Sequence, residues 1–235
     1  MEKISIIIPC FNEENTITRL LELISIQTNK ITNYNFEVIL INDASNDKTY
    51  EKILANKNHV DILINHEKNL GKGAAIKSGL KKSLGEIILI QDADLEYNPE
   101  NYFNLIDKFK DDKIKVVYGS RFLNKKNFDI YKGLNFNFRL LLNKLFTGFF
   151  NLLYRQKLTD VHTGYKLFKR EIFNKINLEE DDFSFCVEVS AKIAKNKIDI
   201  CEVEIDFFPR SYKEGKKIRN IDGLKALFAY IKYRF

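Results

Sequence analysis

An α/β fold built on a mostly parallel sheet flanked by helices is what this sequence predicts, and three observations carry it. Short apolar runs recur through residue 120 or so, each followed by a helical pattern. Each run ends in a polar or acidic cluster. The apolar and charged fractions, 45% and 30%, are those of a foldable globular chain rather than a disordered one. Strands and helices alternating in this order form a parallel sheet with helices on its faces, and ligands of such sheets sit at the carboxyl ends of the strands.

The elements follow in order. Residues 4–8, ISIII, read as a buried strand. Ile17, Leu20, Leu21 and Ile24 then recur at i, i+3, i+4 and i+7, one face of a helix. Residues 36–41, 60–64, 86–90 and 114–118 read as four further strands. Between them the spacing predicts helices over 49–56, 74–84 and 100–110, the last with Tyr102, Leu105, Ile106 and Phe109 on one face. The second half changes character. Residues 134–155, LNFNFRLLLNKLFTGFFNLLYR, are dense in Leu and Phe, and residues 182–195 form an amphipathic helix carrying Cys186, Val189, Ile193 and Ala194. Cys201, Val203, Ile205 and Phe207 alternate with acids, a strand with one wet face. Residues 224–235 close as a basic, aromatic helix. Without a repeat or a Pro/Gly-rich linker, the simplest division is one domain, 1–211, and a basic C-terminal extension, 212–235.

The net charge of +6 fits nucleic acid, an anionic membrane surface or phosphate-bearing substrates, and the total alone does not choose. Three separated cysteines, Cys10, Cys186 and Cys201, lack metal-type spacing and read as buried thiols of a reducing cytoplasm. The opening MEKISIII starts a strand at once, without a signal pattern, and no run approaches the ~20 apolar residues that span a bilayer. The expectation is a cytoplasmic protein, peripheral on the membrane at most.

The chemistry gathers at the strand ends. In QDADLEYNPE, residues 91–100, Asp92 and Asp94 point to the same side of extended chain. Two carboxylates about 4 Å apart repel by roughly 4 kcal/mol at an effective dielectric of 20, so such a pair is kept with a cation or with one acid protonated. Oxygen-only ligands favour Mg²⁺ or Mn²⁺. A plain turn opening a helix at Pro99 is the alternative at this point. The other strand ends add IIIPCFNEEN, ILINDASNDKT and HEKNLGKGAAIKSG. Asp43 is placed to accept from a nucleobase N–H, and the Gly71-Lys72-Gly73 turn brings backbone and a lysine toward phosphate. Neither the P-loop nor the GxGxxG pattern occurs.

Seven blocks in order, IIIPCFNEE, INDASNDKT, NLGKGAAIKSG, QDADLEYNPE, GSR, TDVHTGYKLFKR and FFPRSYKEGKKI, resemble the family 2 glycosyltransferases of GT-A fold. Within that family they look most like the polyprenyl-phosphate sugar transferases, such as dolichyl-phosphate mannose synthases and β-glucosyltransferases. The resemblance implies a UDP- or GDP-sugar donor, a lipid phosphate acceptor, Mg²⁺ or Mn²⁺ as cofactor, and no nucleic acid. It implies that Pro9, Phe11 and Glu13 line the nucleotide pocket with Ile41 and Asp43 at its base. It puts Asp92 and Asp94 on the metal, with Glu96 where mannose synthases usually have Gln, and Arg121, Arg210 and Lys216 on diphosphate or acceptor phosphate. Two positions depart from the family pattern. Phe11 replaces the commoner Tyr, and Cys186 stands where relatives often carry an acid, leaving Glu188 as the carboxylate there.

The implied reaction is an inverting, metal-dependent transfer. A lipid phosphate, with its second pKa of about 6, attacks without a strong base; a hydroxyl acceptor in glycan or glycolipid synthesis needs one, and Asp160 or Glu188 is the candidate. A nucleotidyltransferase lacks its Gly-rich N-terminal signature here. A catalytically idle membrane-binding module has no need for acids at successive strand ends. On a helical projection of 134–155, Asn137, Lys144, Gly148, Asn151 and Arg155 fall on one side, leaving a broad Leu/Phe face for a membrane interface. Lys125, Lys126, Lys132, Arg139, Lys157, Lys225, Lys232 and Arg234 would meet anionic lipid. A core contact or self-association is the alternative use of that face. His162 reads as an ordinary hydrogen-bonded histidine, with acceptor positioning as the other choice; His59 and His66 belong to no constellation.

Overall fold

The computed structural model describes residues 1–124, 137–210 and 220–235. Its first half runs β1 (Lys3–Cys10), α1 (Ile17–Lys30), β2 (Asn35–Asn42), α2 (Thr49–Ala55), β3 (Ile62–Asn65), α3 (Lys72–Lys82), β4 (Ile87–Ile90) and α4 (Tyr102–Ile106). The second half runs β5 (Val116–Ser120), α5 (Asn137–Tyr154), β6 (Lys166–Lys169), α6 (Phe185–Lys195), β7 (Ile200–Glu204) and α7 (Asn220–Lys232).

The strands form one seven-stranded sheet in the order β3-β2-β1-β4-β6-β5-β7. Strands β1, β2, β3 and β4 pair in parallel, and β5 pairs in parallel with β7. Among the described strands only β6 is reversed, antiparallel to both β4 and β5. Because β2 and β4 lie on opposite sides of β1, the chain changes winding direction there, and the crevice this opens at the carboxyl ends is the usual ligand position.

The apolar runs are buried on both faces, as a covered parallel sheet requires. Ile4, Ile6 and Ile8 pack with Ile17, Leu20, Leu21 and Ile24 of α1 and with Leu105 and Ile106 of α4. The alternate residue Ile7 packs on the other face with Ile39, Ile41, Ile88 and Ala75 of α3. Farther along, Ile90, Tyr118 and Phe168 pack against Val189 and Ile193 of α6. Outside α6 a fourth cluster joins Phe150 and Tyr154 of α5 to Ala226, Ala229 and Tyr230 of α7 and to Tyr233 just past its end. The described part of the C-terminal segment, expected as an extension, thus contributes a buried face to the same body.

Three differences from the expected elements matter for the site. Residues 100–110 form a broken series of short turns around α4, opening at Pro99 behind the Asn98 cap. The strand over 201–207 ends at Glu204, and Phe207 makes one isolated bridge to Tyr97. β6 is an element the apolar pattern did not predict, because only four residues pair and lysines stand at both ends. Lys166 is nonetheless buried: its Nζ donates to the Val161 carbonyl at 3.0 Å and lies 3.5 Å from the Tyr118 ring centroid. Burial pushes its pKa down to about 8. The reversal of β6 brings the preceding segment, 159–165, to the carboxyl end of β4.

Candidate active site

Beyond the ends of β1, β2 and β4 the backbone turns sharply through Asn12, Ala44 and Leu95, at φ of 51°, 57° and 60°. Each left-handed residue that is not glycine costs on the order of 1 kcal/mol or more, and such strain gathers at functional sites. Here it turns the chain just past three adjacent strands, so that their polar residues share one edge.

The acidic turn is held from below by Gln91, wholly buried. Its Oε1 accepts from Tyr102 and Tyr165 hydroxyls at 3.0 and 2.8 Å, and its Nε2 donates to the carbonyls of Asp92 and Tyr97 at 2.9 and 3.1 Å. Asp92 Oδ1 meets Lys72 Nζ at 2.5 Å. Its other oxygen lies so close to Gly164 that a Cβ there would fall 2.2 Å away, so a side chain at 164 would displace the carboxylate. Asp94 Oδ1 accepts from the Glu96 N–H at 3.0 Å, and Oδ2 lies 3.3 Å from Arg210 Nη2. Burial first, and then the charges of Asp92 and Glu96, push the Asp94 carboxyl up to about 7, with Arg210 opposing. For Lys72 burial favours the neutral amine, but Asp92 outweighs it and holds the ammonium above the ordinary lysine range.

Lys72 opens α3 directly after Gly71, whose φ is 99° and whose Cβ would meet the Asp181 carbonyl oxygen at 2.5 Å. This turn is tied to β2 by Asp43, which is buried. Asp43 Oδ1 accepts from Leu70 N–H at 2.9 Å and contacts His66 Nδ1 at 2.7 Å, while Oδ2 accepts from Gly71 N–H at 2.8 Å.

Arg210 arrives on residues 206–210, which lie across the acidic turn. Its guanidinium grips Glu13 at 2.8 and 3.0 Å. Glu96 fastens this strap: its Oε1 accepts the Arg210 backbone N–H at 2.7 Å and its carbonyl accepts from Phe208 N–H at 2.9 Å. The Nε of Arg210 is a buried donor with no hydrogen-bond partner, and an oxygen ligand would satisfy it.

Several expected roles are corrected by these positions. Ile41 is wholly buried in the sheet core under α3 and does not line a pocket. Glu13 serves as the partner of Arg210. Pro9 and Phe11 remain half-buried at the end of β1. Asp160 is wholly buried and takes Arg121 Nε and Nη2 at 2.6 and 2.8 Å, while Glu202 accepts the Thr159 and Asp160 N–H groups at 2.7 and 3.0 Å. Glu188 is wholly buried, accepting from the N–H groups of Glu179 and Glu180 at 2.6 and 2.9 Å and from Lys192 Nζ at 2.7 Å. Each carboxylate thus carries three donors, and in each case a cationic side chain is among them. His162 bonds the Tyr230 hydroxyl at 2.6 Å, joining the 159–165 segment to α7. Lys216 lies outside the described residues. The residues the sequence reading passed over are Gln91 and Gly164, the latter a glycine inside a matched block; His66, expected to belong to no constellation although it opens the strand-end stretch HEKNLGKG, bonds Asp43.

Among the described residues no three Asp, Glu, His or Cys side chains converge to hold a cation by themselves. The expected set of Asp92, Asp94 and Glu96 is therefore reduced by Glu96, which turns to the strap. What remains fits a divalent cation held jointly with a ligand: Mg²⁺ takes one or two carboxylates plus substrate phosphates, and the raised Asp94 carboxyl marks surplus negative charge that a cation relieves.

The comparisons with known proteins agree with this layout. Residues 5–177 match the profile of glycosyl transferase family 2. A dolichol-phosphate mannosyltransferase of Pyrococcus furiosus is 27% identical over 98% of this chain, which spans 62% of that relative's length. A UDP-N-acetylglucosamine–dolichyl-phosphate N-acetylglucosaminyltransferase of Methanococcus voltae is 29% identical, with 96% of this chain and 93% of that protein covered. Glucosyl-3-phosphoglycerate synthase of Mycobacterium tuberculosis, solved with Mn²⁺, UDP and phosphoglyceric acid, superimposes with a TM-score of 0.74 at 17% identity, covering 99% of this chain and 78% of that one. The mostly parallel sheet is thus the GT-A arrangement, and the chain belongs to glycosyl transferase family 2.

Proposed function

We propose that this glycosyltransferase moves a sugar, with inversion, from a nucleoside diphosphate to a polyprenyl phosphate at a membrane surface. The observation that carries the choice of acceptor is the condition of Asp160 and Glu188. Both are wholly buried and each is held by a cation, Arg121 on Asp160 and Lys192 on Glu188, so the two carboxylates that would serve a hydroxyl acceptor as base are unsuited to it. An acceptor phosphate brings its own ionised oxygen at neutral pH.

On this reading Asp43 accepts from the base and Lys72 and Arg210 neutralise the diphosphate. A divalent cation, when bound on Asp92 and Asp94, supplies Lewis-acid stabilisation of the leaving nucleoside diphosphate. Lys72 and Arg210 are held in place beforehand by Asp92, Asp94 and Glu13, so little reorganisation is needed as charge develops. Arg121 packs 5.1 Å from the Phe207 ring and is clamped by Asp160; on this reading it meets the acceptor phosphate.

The membrane side of the reading rests on α5. Its outward residues are Leu141, Lys144, Leu145, Gly148, Phe149 and Leu152, an apolar stripe with one cation, and exposed Arg155 stands just past its end. Leu152 is 78% exposed and, on α7, Phe228 is 71% exposed. The face is narrower than the helical projection implied: Phe150 is buried, and Asn151 bonds the backbone of Leu158. Lys225 and Lys232 are paired with Asp182 and Glu180, and Lys125, Lys126 and Lys132 lie outside the described residues. No helix among the described residues is long and apolar enough to cross a membrane.

The test is transfer from labelled UDP- and GDP-sugars in anionic liposomes carrying a polyprenyl phosphate, with and without Mn²⁺. The expected product is a metal-dependent, organic-extractable sugar phosphate lipid. Transfer to polyprenol but not to its phosphate would overturn the reading.

A further inference from the structure

Asp43 carries more than the tie between β2 and the Gly71 turn. An ionised carboxylate has about four acceptor positions. Two on Oδ1 are used by Leu70 N–H and His66 Nδ1, and one on Oδ2 is used by Gly71 N–H. Among the described residues one position on Oδ2 remains. Since Asp43 only accepts, His66 Nδ1 must carry a proton; in the neutral ring Nε2 is then the acceptor, and it lies 2.9 Å from the Ser78 hydroxyl. The imidazole is 8% exposed and is held at both nitrogens, between the end of β2 and the middle of α3.

We propose that His66, latched by Ser78, is a positioning residue that presents the remaining Oδ2 acceptor of Asp43 to an N–H of the nucleotide base. The inference rests on the donor reading above. Without the His66 bond, the carboxylate is still tethered by Leu70 and Gly71 but is free to rotate toward them, so the base contact degrades while the Gly71-Lys72 turn, which faces the diphosphate, stays in place. His66 would thus govern the affinity that the base adds and leave the affinity of the phosphates alone.

Calorimetric titration of the full chain with UDP, GDP and pyrophosphate, each with Mn²⁺, tests this. Wild type is expected to bind at least one nucleoside diphosphate more tightly than pyrophosphate. His66→Ala is expected to weaken that nucleotide about tenfold, the loss of one hydrogen bond to a charged group, and to leave pyrophosphate within about twofold. His66→Asn, whose amide N–H falls near the position of Nδ1, should recover most of the loss. Ser78→Ala, which keeps the ring but unlatches it, should show a smaller loss of the same kind and serves if His66→Ala does not fold. The proposal is overturned if the variants bind the nucleotide like wild type, lose nucleotide and pyrophosphate alike, or gain nothing from Asn. A wild type that binds no nucleoside diphosphate overturns the donor reading itself, a separate outcome.

Discussion

The two halves of the sheet use carboxylates in opposite ways. At the ends of β1, β2 and β4, acids crowd together: Asp92, Asp94, Glu96 and Glu13 surround one arginine and one lysine, and the Asp94 carboxyl is pushed up to about 7 by burial and its acidic neighbours. Around β5, β6 and β7 the buried acids have donors of their own, Asp160 with Arg121 and Glu188 with Lys192. The first arrangement holds charge in a state that a ligand improves. The second is complete without one. Crowded, incompletely neutralised acids mark the ligand site, and satisfied buried acids mark the frame that holds it.

The sharpest way to break this comparison is to remove one acid from each half. Asp160→Ala removes the wholly buried carboxylate that grips Arg121 and is expected to cost about 3–5 kcal/mol of stability, read by urea unfolding. Asp94→Asn keeps the shape of a protonated acid and removes a charge the fold disfavours. Its stability should stay within about 0.5 kcal/mol of wild type, while turnover falls by roughly 10²–10³ fold if Asp94 stabilises the transition state. Equal destabilisation by both variants would erase the distinction between the halves.

A somewhat smaller effect is expected from His162. Burial, the largest cause, lowers its pKa to about 4, with Asp160 opposing. An unfolded histidine titrates near 6.5, so between these values the unfolded chain binds the extra proton and the folded chain does not. The stability this group contributes is therefore complete above pH ~6.5 and is lost as pH falls toward ~4, by about 3 kcal/mol over the window. His162→Gln, which keeps an acceptor for Tyr230, should show a flatter stability profile between pH 7 and 4.5. An unchanged slope would mean that His162 is already charged in the fold.

The smallest effect on stability is expected on the exposed face of α5, in contrast to its buried face. Phe150→Ala should cost about 3–5 kcal/mol as a core cavity, whereas Leu145→Ser with Leu152→Ser, both exposed, should change stability by no more than ~0.5 kcal/mol each. The exposed pair should nevertheless reduce flotation with anionic liposomes. Full flotation of the double variant would move the contact elsewhere.

Sequence by itself determined the parallel α/β framework and the edge on which chemistry is placed. The runs around Ile6, Ile39 and Ile88 are long enough in apolar residues to fix burial locally; Asp43, Asp92 and Asp94 come just after their strands and Lys72 opens the helix that follows β3, so that their position needs only the topology. Tertiary structure decided what each polar group meets. Strand β6 depends on pairing with β4 and β5, which four residues flanked by lysines cannot announce. Glu96 was turned from ligand to fastener by a strap more than a hundred residues later, and Asp43 was joined to His66 across 23 residues. Ile41 went to the core because α3 crosses above it. Periodicity reports the burial of a segment against an unspecified partner; a hydrogen bond or ion pair depends on distance and direction between particular atoms, and those are set only when the sheet brings remote residues together.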